Sequence, residues 1–389
     1  MGNSPKIRFV GFTDDWEQRK LGELATEILA GGDVDKDLLV ENGRYPVIAN
    51  ALTNDGIVGY YEEQYRIKAP ALTVTGRGDV GHAKARTTDF TPVVRLLSVK
   101  CNHDIFFLEN AINNLTIVVE STGVPQLTIP QLKKYVIALP TERLEEELIG
   151  KLFVAMDNLI TLHQRKCEKI NNIKKIMLQK MFPRKGKSKP EIRFKEFTDD
   201  WELRKLEDYL EVSNEKNRDG VYTKQEVLSV SGDYGIVNQI EFQGRSFAGV
   251  SVLNYGIVRT GDVVYTKSPL STNPFGIIKT NKGKAGIVST LYAVYHPSKK
   301  VNPEFVQIYF ELNSRMNNYM RPLVNKGAKN DMKVSAENAL KGNVLFPNIA
   351  EQNVITNFFK NLDDLIDVQQ NKVEELKNIK KFMLKNMFV

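Results

Sequence analysis

The sequence predicts an α/β (α+β) fold: two globular modules with mixed sheets, separated by two long helices that pair as an antiparallel coiled coil, with an internal pseudo-two-fold repeat. Three observations carry this. Leu148–Phe182 and Val354–Phe388 align without a gap at 16 of 35 identical positions. Pro5–Leu21 (PKIRFVGFTDDWEQRKL) and Pro190–Leu206 (PEIRFKEFTDDWELRKL) agree at 13 of 17. Between these repeats, short apolar runs broken by Gly, Pro and Asn replace the helical periodicity. Repetition on this scale means two copies of one architecture. The start-to-start offset is 185 residues and the helix-to-helix offset 206, so the second module is 21 residues longer than the first. Ends that repeat and middles that diverge describe a common frame carrying two different readers.

Taken in order, the chain divides into a marker at 1–22, a first module at 23–140, a central helix at 141–182, a linker at 183–190, a second marker at 191–207, a second module at 208–347 and a C-terminal helix at 348–389. In the markers, Thr13 and Thr198 precede acidic residues and suit the start of a short helix. Trp16 and Trp201 are expected to seal each module against its helix. In the first module Tyr45–Ala49, Ala71–Thr75, Val93–Val99 and Tyr135–Leu139 read as strands, and Asn110–Val119 as either helix or strand. In the second, Glu226–Val230, Gly256–Arg259, Val263–Thr266, Gly286–Tyr295 and Val344–Phe346 read as strands, and Phe305–Leu312 as a helix continuing towards Met320. Thr141 and Asn348 suit N-caps, and Glu351 stands where a capping box needs it. Pro183 ends the central helix, and PRKGKSKP (183–190) is a basic linker with no apolar residue, expected to be exposed and mobile.

The helices carry apolar stripes at alternating spacings of three and four, the pattern two helices need to pack together. One runs Ile149, Leu152, Met156, Leu159, His163, Lys166, Ile170, Ile173 and Met177; the other runs Ile355, Phe358, Leu362, Leu365, Gln369, Lys372, Leu376, Ile379 and Met383. His163 and Gln369 form a central polar layer, which costs stability and fixes register. The seam alone permits either orientation. Connectivity favours antiparallel, because each module precedes its helix and antiparallel pairing places the modules at opposite ends. Nine seam positions span about 42 Å at 1.5 Å per residue, close to one turn of B-DNA at roughly 34–36 Å.

Bulk properties narrow the function. The chain of 389 residues is 42% apolar and 26% charged, with a formal charge of +7 that is compatible with a polyanionic partner. It contains no apolar run of membrane-spanning length and only two cysteines, Cys101 and Cys167. A cytoplasmic protein with no membrane association is expected. Enzymatic motifs fall short. Gly76–Ala83 has the two glycines of a phosphate loop, but His82 and Ala83 replace its Lys and Ser/Thr. Asn273-Pro274-Phe275 lacks the second proline of the amino-methyltransferase signature, and the four histidines show no metal-ligand spacing. No catalytic or metal-binding residue is assigned.

The same loops suit DNA contact. Thr75–Arg86 offers Thr75, Arg77, Asp79, His82, Lys84 and Arg86, and a later loop offers Thr122 and Gln126. The second module offers Lys267, Ser268, Ser271, Thr272 and Asn273, then Lys326, Lys329, Asn330 and Lys333. Arg pairs with guanine, Asn with adenine, and Lys commonly with phosphate.

Two variable modules alternating with two similar helices, and the duplicated RF-x-x-FTDDWE-x-RKL marker, resemble the specificity subunit of type I restriction–modification systems. The resemblance covers the whole chain; it is specific in the markers and helices and unspecific inside the modules. It implies that the modules are target recognition domains, each reading one half of an asymmetric bipartite site in double-stranded DNA. It implies also that the helices form the spacer and the docking surface for two methyltransferase subunits, with two restriction–translocation subunits completing the complex. S-adenosylmethionine, ATP and magnesium are then expected on those partners and no cofactor on this chain. The competing expectation is a protein-interaction scaffold whose two modules capture other proteins.

Overall fold

A computed structural model describes residues 4–115, 125–267, 273–326 and 332–389, with the backbone alone at 325–326 and 332–333. The chain forms two compact units. Unit 1 is Met1–Arg165 with Gln369–Val389; unit 2 is Lys166–Val368. Each unit therefore takes one half of each long helix, Arg143–Lys180 and Ile349–Met387.

Both units are built on one frame. In unit 1 a four-stranded antiparallel sheet runs in the order Ala25–Ala30, Leu97–Cys101, Ala71–Val74, Ala83–Arg86. In unit 2 the order Leu210–Val212, Tyr292–Pro297, Val263–Thr266, Ile278–Thr280 repeats it. Alternation along Ala71–Val74 sends Leu72 and Val74 into the main core with Leu97 and Val99, and Ala71 into a smaller one with Ile48, Ile67, Phe90 and Leu96. Around the frame the units differ. Unit 1 adds a three-stranded sheet in which Tyr45–Ile48 pairs antiparallel with Ile57–Tyr61 and parallel with Thr91–Pro92. Unit 2 adds the antiparallel pairs Leu228–Ser231 with Gly235–Asn238 and Gly256–Val258 with Gly286–Val288.

Two long predicted strands are interrupted. Val93–Leu96 is a turn, with Leu96 N donating to Val93 O at 3.0 Å, before the strand Leu97–Cys101 begins. Gly286–Tyr295 divides into Gly286–Val288 and Tyr292–Pro297. Asn110–Asn113 closes the helix Ile105–Asn113, and 116–119 lie outside the described residues. The helix over Phe305–Leu312 is Pro303–Glu311, followed by Asn313–Met320.

The markers form strands where a helix was expected. Glu17–Lys20 pairs antiparallel with Val136–Leu139, and Glu202–Lys205 pairs with Asn343–Phe346 in the same register. Cross-strand hydrogen bonds outweigh the local helix-start signal of Thr13 and Thr198, whose acidic followers stay at the surface. Before each strand, Arg8 meets Glu145 at 2.8 and 2.7 Å and Trp16 Nε1 donates to the same carboxylate at 3.2 Å. Arg193 meets Glu351 at 2.8 Å twice and Trp201 Nε1 donates at 3.3 Å. Glu145 and Glu351 are both 0% exposed, and such a buried carboxylate persists only when its partners are in place. Hydrogen bonding to these carboxylates raises the pKa of Arg8 and of Arg193.

The tryptophans complete the seal. Trp16 stands edge-on to Phe107 at 5.7 Å and Phe388 at 6.2 Å; Trp201 stands edge-on to Phe305 at 6.1 Å and Phe182 at 5.8 Å. Each module is thus closed by the start of its own helix and the end of the other. In unit 2 the Arg315 guanidinium adds a further tie, donating to Leu178 O at 2.8 Å and lying 4.3 Å over Phe182; burial pushes its pKa down to about 10.

Asn348 caps its helix through Glu351 N at 3.0 Å, whereas the Thr141 hydroxyl donates instead to Asp15 O at 3.0 Å and its helix begins at Arg143. The linker 183–190 is mostly exposed yet tied to the second marker, with Trp201 N donating to Ser188 O at 3.0 Å and Lys189 meeting Asp200 at 3.1 Å.

Within each unit the long helices pair antiparallel. His163 Nδ1 lies 2.7 Å from Gln369 Oε1 and Lys380 reaches Asp157 at 2.6 Å in unit 1; Lys174 reaches Asp363 at 2.7 Å in unit 2. The 206-residue offset maps Asp157 to Asp363, Lys174 to Lys380 and His163 to Gln369, as antiparallel pairing of two copies of one helix requires. The seam keeps Ile149, Met156, His163, Ile170 and Met177 but alternates them with Phe153, Ile160, Cys167 and Lys174, one residue beyond Leu152, Leu159, Lys166 and Ile173. The second helix shifts identically, keeping Ile355, Leu362, Gln369, Leu376 and Met383 and interposing Phe359, Ile366, Val373 and Lys380 for Phe358, Leu365, Lys372 and Ile379. Leu152 and Phe358 are half-buried against their module cores. At one end of each seam Lys174 and Lys380, each bound to acid, stand inward where Ile173 and Ile379 were expected. Among the described residues no helix is long and apolar enough to cross a membrane.

Candidate nucleic-acid interface

In unit 1 the hairpin Ala71–Val74/Ala83–Arg86 ends in a loop rooted by Thr75. Thr75 N donates to His82 O at 3.0 Å and Thr75 Oγ1 accepts from His82 N at 2.9 Å while donating to Asp79 O. Thr75 is 6% exposed, so its hydroxyl serves the loop and is not offered outward. Gly76 follows where a Cβ would stand 2.1 Å from Arg95 O, so only glycine admits the close approach. Asn50 joins the same two segments, accepting from Gly76 N at 2.8 Å and donating to Val94 O at 3.0 Å. The loop then pairs with 125–127: Leu127 N donates to Gly76 O at 3.0 Å, and Arg77 bridges Gln126.

This architecture leaves Arg77, Asp79, His82, Lys84 and Gln126 exposed. Lys84 lies 3.5 Å from Glu109, whose other oxygen accepts from Ala85 N. Arg86 is occupied internally, donating to Thr73 Oγ1 at 3.0 Å and Asp55 O at 2.9 Å, and burial lowers its pKa. Thr122 lies outside the described residues.

Unit 2 has the same root. Thr266 N donates to Ile277 O at 2.9 Å and Thr266 Oγ1 accepts from Ile277 N at 2.9 Å, matching Thr75 and His82. The loop between is 267–276 instead of 76–81, four residues longer. Gly276 has φ +80° and would place a Cβ 2.0 Å from Thr266 O, and Tyr265 pins the loop by donating to Phe275 O at 2.7 Å. Lys267 is half-buried; burial and then Lys216 push its pKa down. Asn273 is 9% exposed, and its Oδ1 has no hydrogen-bond partner among the described residues. Ser268, Ser271, Thr272, Lys329 and Asn330 lie outside the described residues. The backbones of Lys326 and Lys333 belong to a short antiparallel pair, Asn325–Lys326 with Met332–Lys333.

Sequence reasoning missed Asn50 and Arg95. Nothing local marks Arg95, because Val93–Val99 reads as one strand and the turn inside it contains no Gly, Asn or Pro. It missed Glu145 as well, whose role appears only once Arg8 and Trp16 are folded over it.

The helix pairs also present apolar side chains outward. In unit 1 Leu159, Leu162, Ile379 and Phe382 are 45, 46, 42 and 57% exposed. In unit 2 their repeat equivalents Leu365, Val368, Ile173 and Ile176 are 49, 58, 37 and 45% exposed. Two equivalent apolar quartets of this kind are candidate partner surfaces.

Comparison with known proteins agrees with this architecture. A family model described as the type I restriction modification DNA specificity domain matches residues 13–172 and 198–378. A putative type I specificity subunit from Mycoplasma pneumoniae is 28% identical over 144 residues, covering 36% of this chain and 39% of that protein. A second from the same organism is 29% identical over 138 residues, covering 34% and 41%, so the matches span about two fifths of these relatives. The specificity subunit of a type I restriction enzyme from Methanocaldococcus jannaschii is 21% identical over 397 residues, covering 95% of this chain and 91% of that one. Among solved structures, the S subunit of a type I restriction–modification system from M. genitalium shares the fold, with TM-score 0.64, 13% identity and 99% of each chain covered. A chain from a structural study of complex assembly and conformational transition of the type I system has TM-score 0.50 and 14% identity, covering 98% of this chain and 99% of that one.

Proposed function

The chain belongs to the family of type I restriction–modification DNA specificity domains, and from that premise we propose that it is the subunit that chooses the DNA sequence for such a complex. The modules at 23–140 and 208–347 act as target recognition domains, each reading one half of an asymmetric, interrupted site. The helix pair sets the spacing between the two half-sites. The observation that carries this reading is the pair of equivalent hairpin roots, Thr75/His82 and Thr266/Ile277, holding loops of unlike length and composition. One frame with two different tips is what reading two different half-sites requires.

The chain itself is non-catalytic in this reading. Two methyltransferase subunits and two restriction–translocation subunits do the chemistry in the cytoplasm and hold S-adenosylmethionine, ATP and magnesium. Two equivalent outward quartets on the helices support two copies of one docking partner. The scaffold alternative places protein capture on the modules, whereas these apolar quartets lie on the helices.

The test is binding of the chain, with its methyltransferase partner, to a duplex bearing the interrupted site and to a scrambled duplex across a salt series. Preference for the site by about a thousandfold or more is expected; equal affinity at every salt concentration would remove the specificity. Exchanging 23–140 for another member's module should change one half-site only. Leu159→Lys with Phe382→Lys, and separately Leu365→Lys with Ile176→Lys, should each reduce the complex by one methyltransferase copy in native mass measurements. An unchanged mass in both would sink the docking assignment.

A further inference from the structure

Three non-glycine residues among those described have left-handed backbones: Asn54 at φ 50°, Asp55 at φ 51° and Arg95 at φ 70°. The first two are of types that tolerate this region, because their short polar side chains bond to nearby backbone. Asn54 does so, donating to Ile57 O at 3.1 Å. Arginine has no such local compensation, and at an exposed turn position glycine would relieve the strain. The turn cannot relax around Arg95. Its carbonyl lies against Gly76, Val94 O accepts from Asn50, Leu96 N donates to Val93 O at 3.0 Å, and Gly31 N donates to Leu96 O at 2.8 Å. The guanidinium, by contrast, has no carboxylate or hydrogen-bond partner among the described residues, and Arg95 is exposed. Asn50 ties this turn to the loop that presents Arg77, which in turn pairs with Gln126.

We propose that Arg95 is a base-reading residue of the first module, held in a strained turn beside the Gly76 loop so that its guanidinium meets a base edge of the first half-site. This rests on the DNA-reading function set out above. A phosphate contact would not need the strain, since flexible cations such as Lys84 reach a backbone from relaxed positions. A bidentate base contact needs a fixed approach direction, which four backbone anchors supply.

The experiment expresses the complete complex in a host that lacks its modification and maps genomic methylation. The wild type should mark one bipartite motif. Arg95→Lys keeps the charge but not the fork, so its motif should relax at one base pair of one half, with discrimination there falling about tenfold or more. Arg95→Gly should melt at or above the wild-type temperature when purified with its methyltransferase partner, because the turn prefers glycine. An Arg95→Lys motif identical to wild type removes the assignment and leaves the general function standing. A lowered melting temperature for Arg95→Gly also overturns it, because the side chain would then serve the fold. A wild type that marks no bipartite motif removes the function and the assignment together.

Discussion

Unit 1 and unit 2 agree closely where marker meets helix and part company where loop leaves hairpin. Arg8–Glu145 and Arg193–Glu351 have contacts of 2.7–2.8 and 2.8 Å, with a tryptophan N–H at 3.2 or 3.3 Å on the same carboxylate. The hairpin tips, by contrast, differ by four residues in length and share only the glycine that closes each, Gly81 and Gly276. The difference teaches which part of each unit is constrained by burial. A carboxylate with no access to water requires its guanidinium and indole in place, so neither copy can drift alone. An exposed loop answers only to what it touches.

Breaking the clasp should give the largest effect. Glu145→Ala and Glu351→Ala each leave an almost buried guanidinium unpaired, and each should cost about 3–5 kcal/mol in denaturant unfolding of the full chain. Clearly unequal losses would show that the two clasps are not equivalent.

The lysine pairs test where the units differ. Lys174, 15% exposed at its side chain, bridges Glu311 and Asp363 at 2.7 Å each, whereas its equivalent Lys380 meets Asp157 and no second acid among the described residues. Lys174→Met should cost about 2–3 kcal/mol and Lys380→Met under about 1 kcal/mol; equal costs would make Glu311 idle. Burial opposes the Lys174 charge, but Glu311 and Asp363 outweigh it and raise its pKa. Its stabilisation is therefore complete below the ordinary lysine pKa and is lost as pH rises through the raised value. A melt series at alkaline pH should show this loss in wild type and not in Lys174→Met.

The hairpin roots come next. Thr75→Val removes two hydrogen bonds and Thr266→Val one, for expected losses of about 2 and about 1 kcal/mol by thermal melts, with the methylated motif unchanged in both. A shifted motif would make Thr75 a reader after all. The smallest effect should have the opposite sign. Replacing both His163 and Gln369 by Leu removes the polar layer, and the chain should gain up to about 1 kcal/mol while its helix register becomes less unique. Loss of stability would show that the pair does more than set register.

Much of this was legible beforehand. Duplication of marker and helix, the antiparallel choice and about half of the described strands follow from repeats, periodicity and turn residues. What escaped shares one cause: it depends on atoms distant in sequence. The marker segment became a strand because Val136–Leu139 and Asn343–Phe346 lie beside it. Half of the seam shifted by one residue, burying Phe153, Ile160, Phe359 and Ile366 and setting Lys174 and Lys380 against acids across the interface.

The amino-acid sequence by itself determined the duplication, the helix pairing and the kinship, since each is written as local pattern or repetition. Only the tertiary structure decided that Glu145 and Glu351 hold the modules, that Thr75 and Arg86 serve the fold, and that Arg95 stands exposed in a strained turn. The physical reason is that burial, partner satisfaction and backbone strain are properties of surroundings, and no residue carries its surroundings in its own identity.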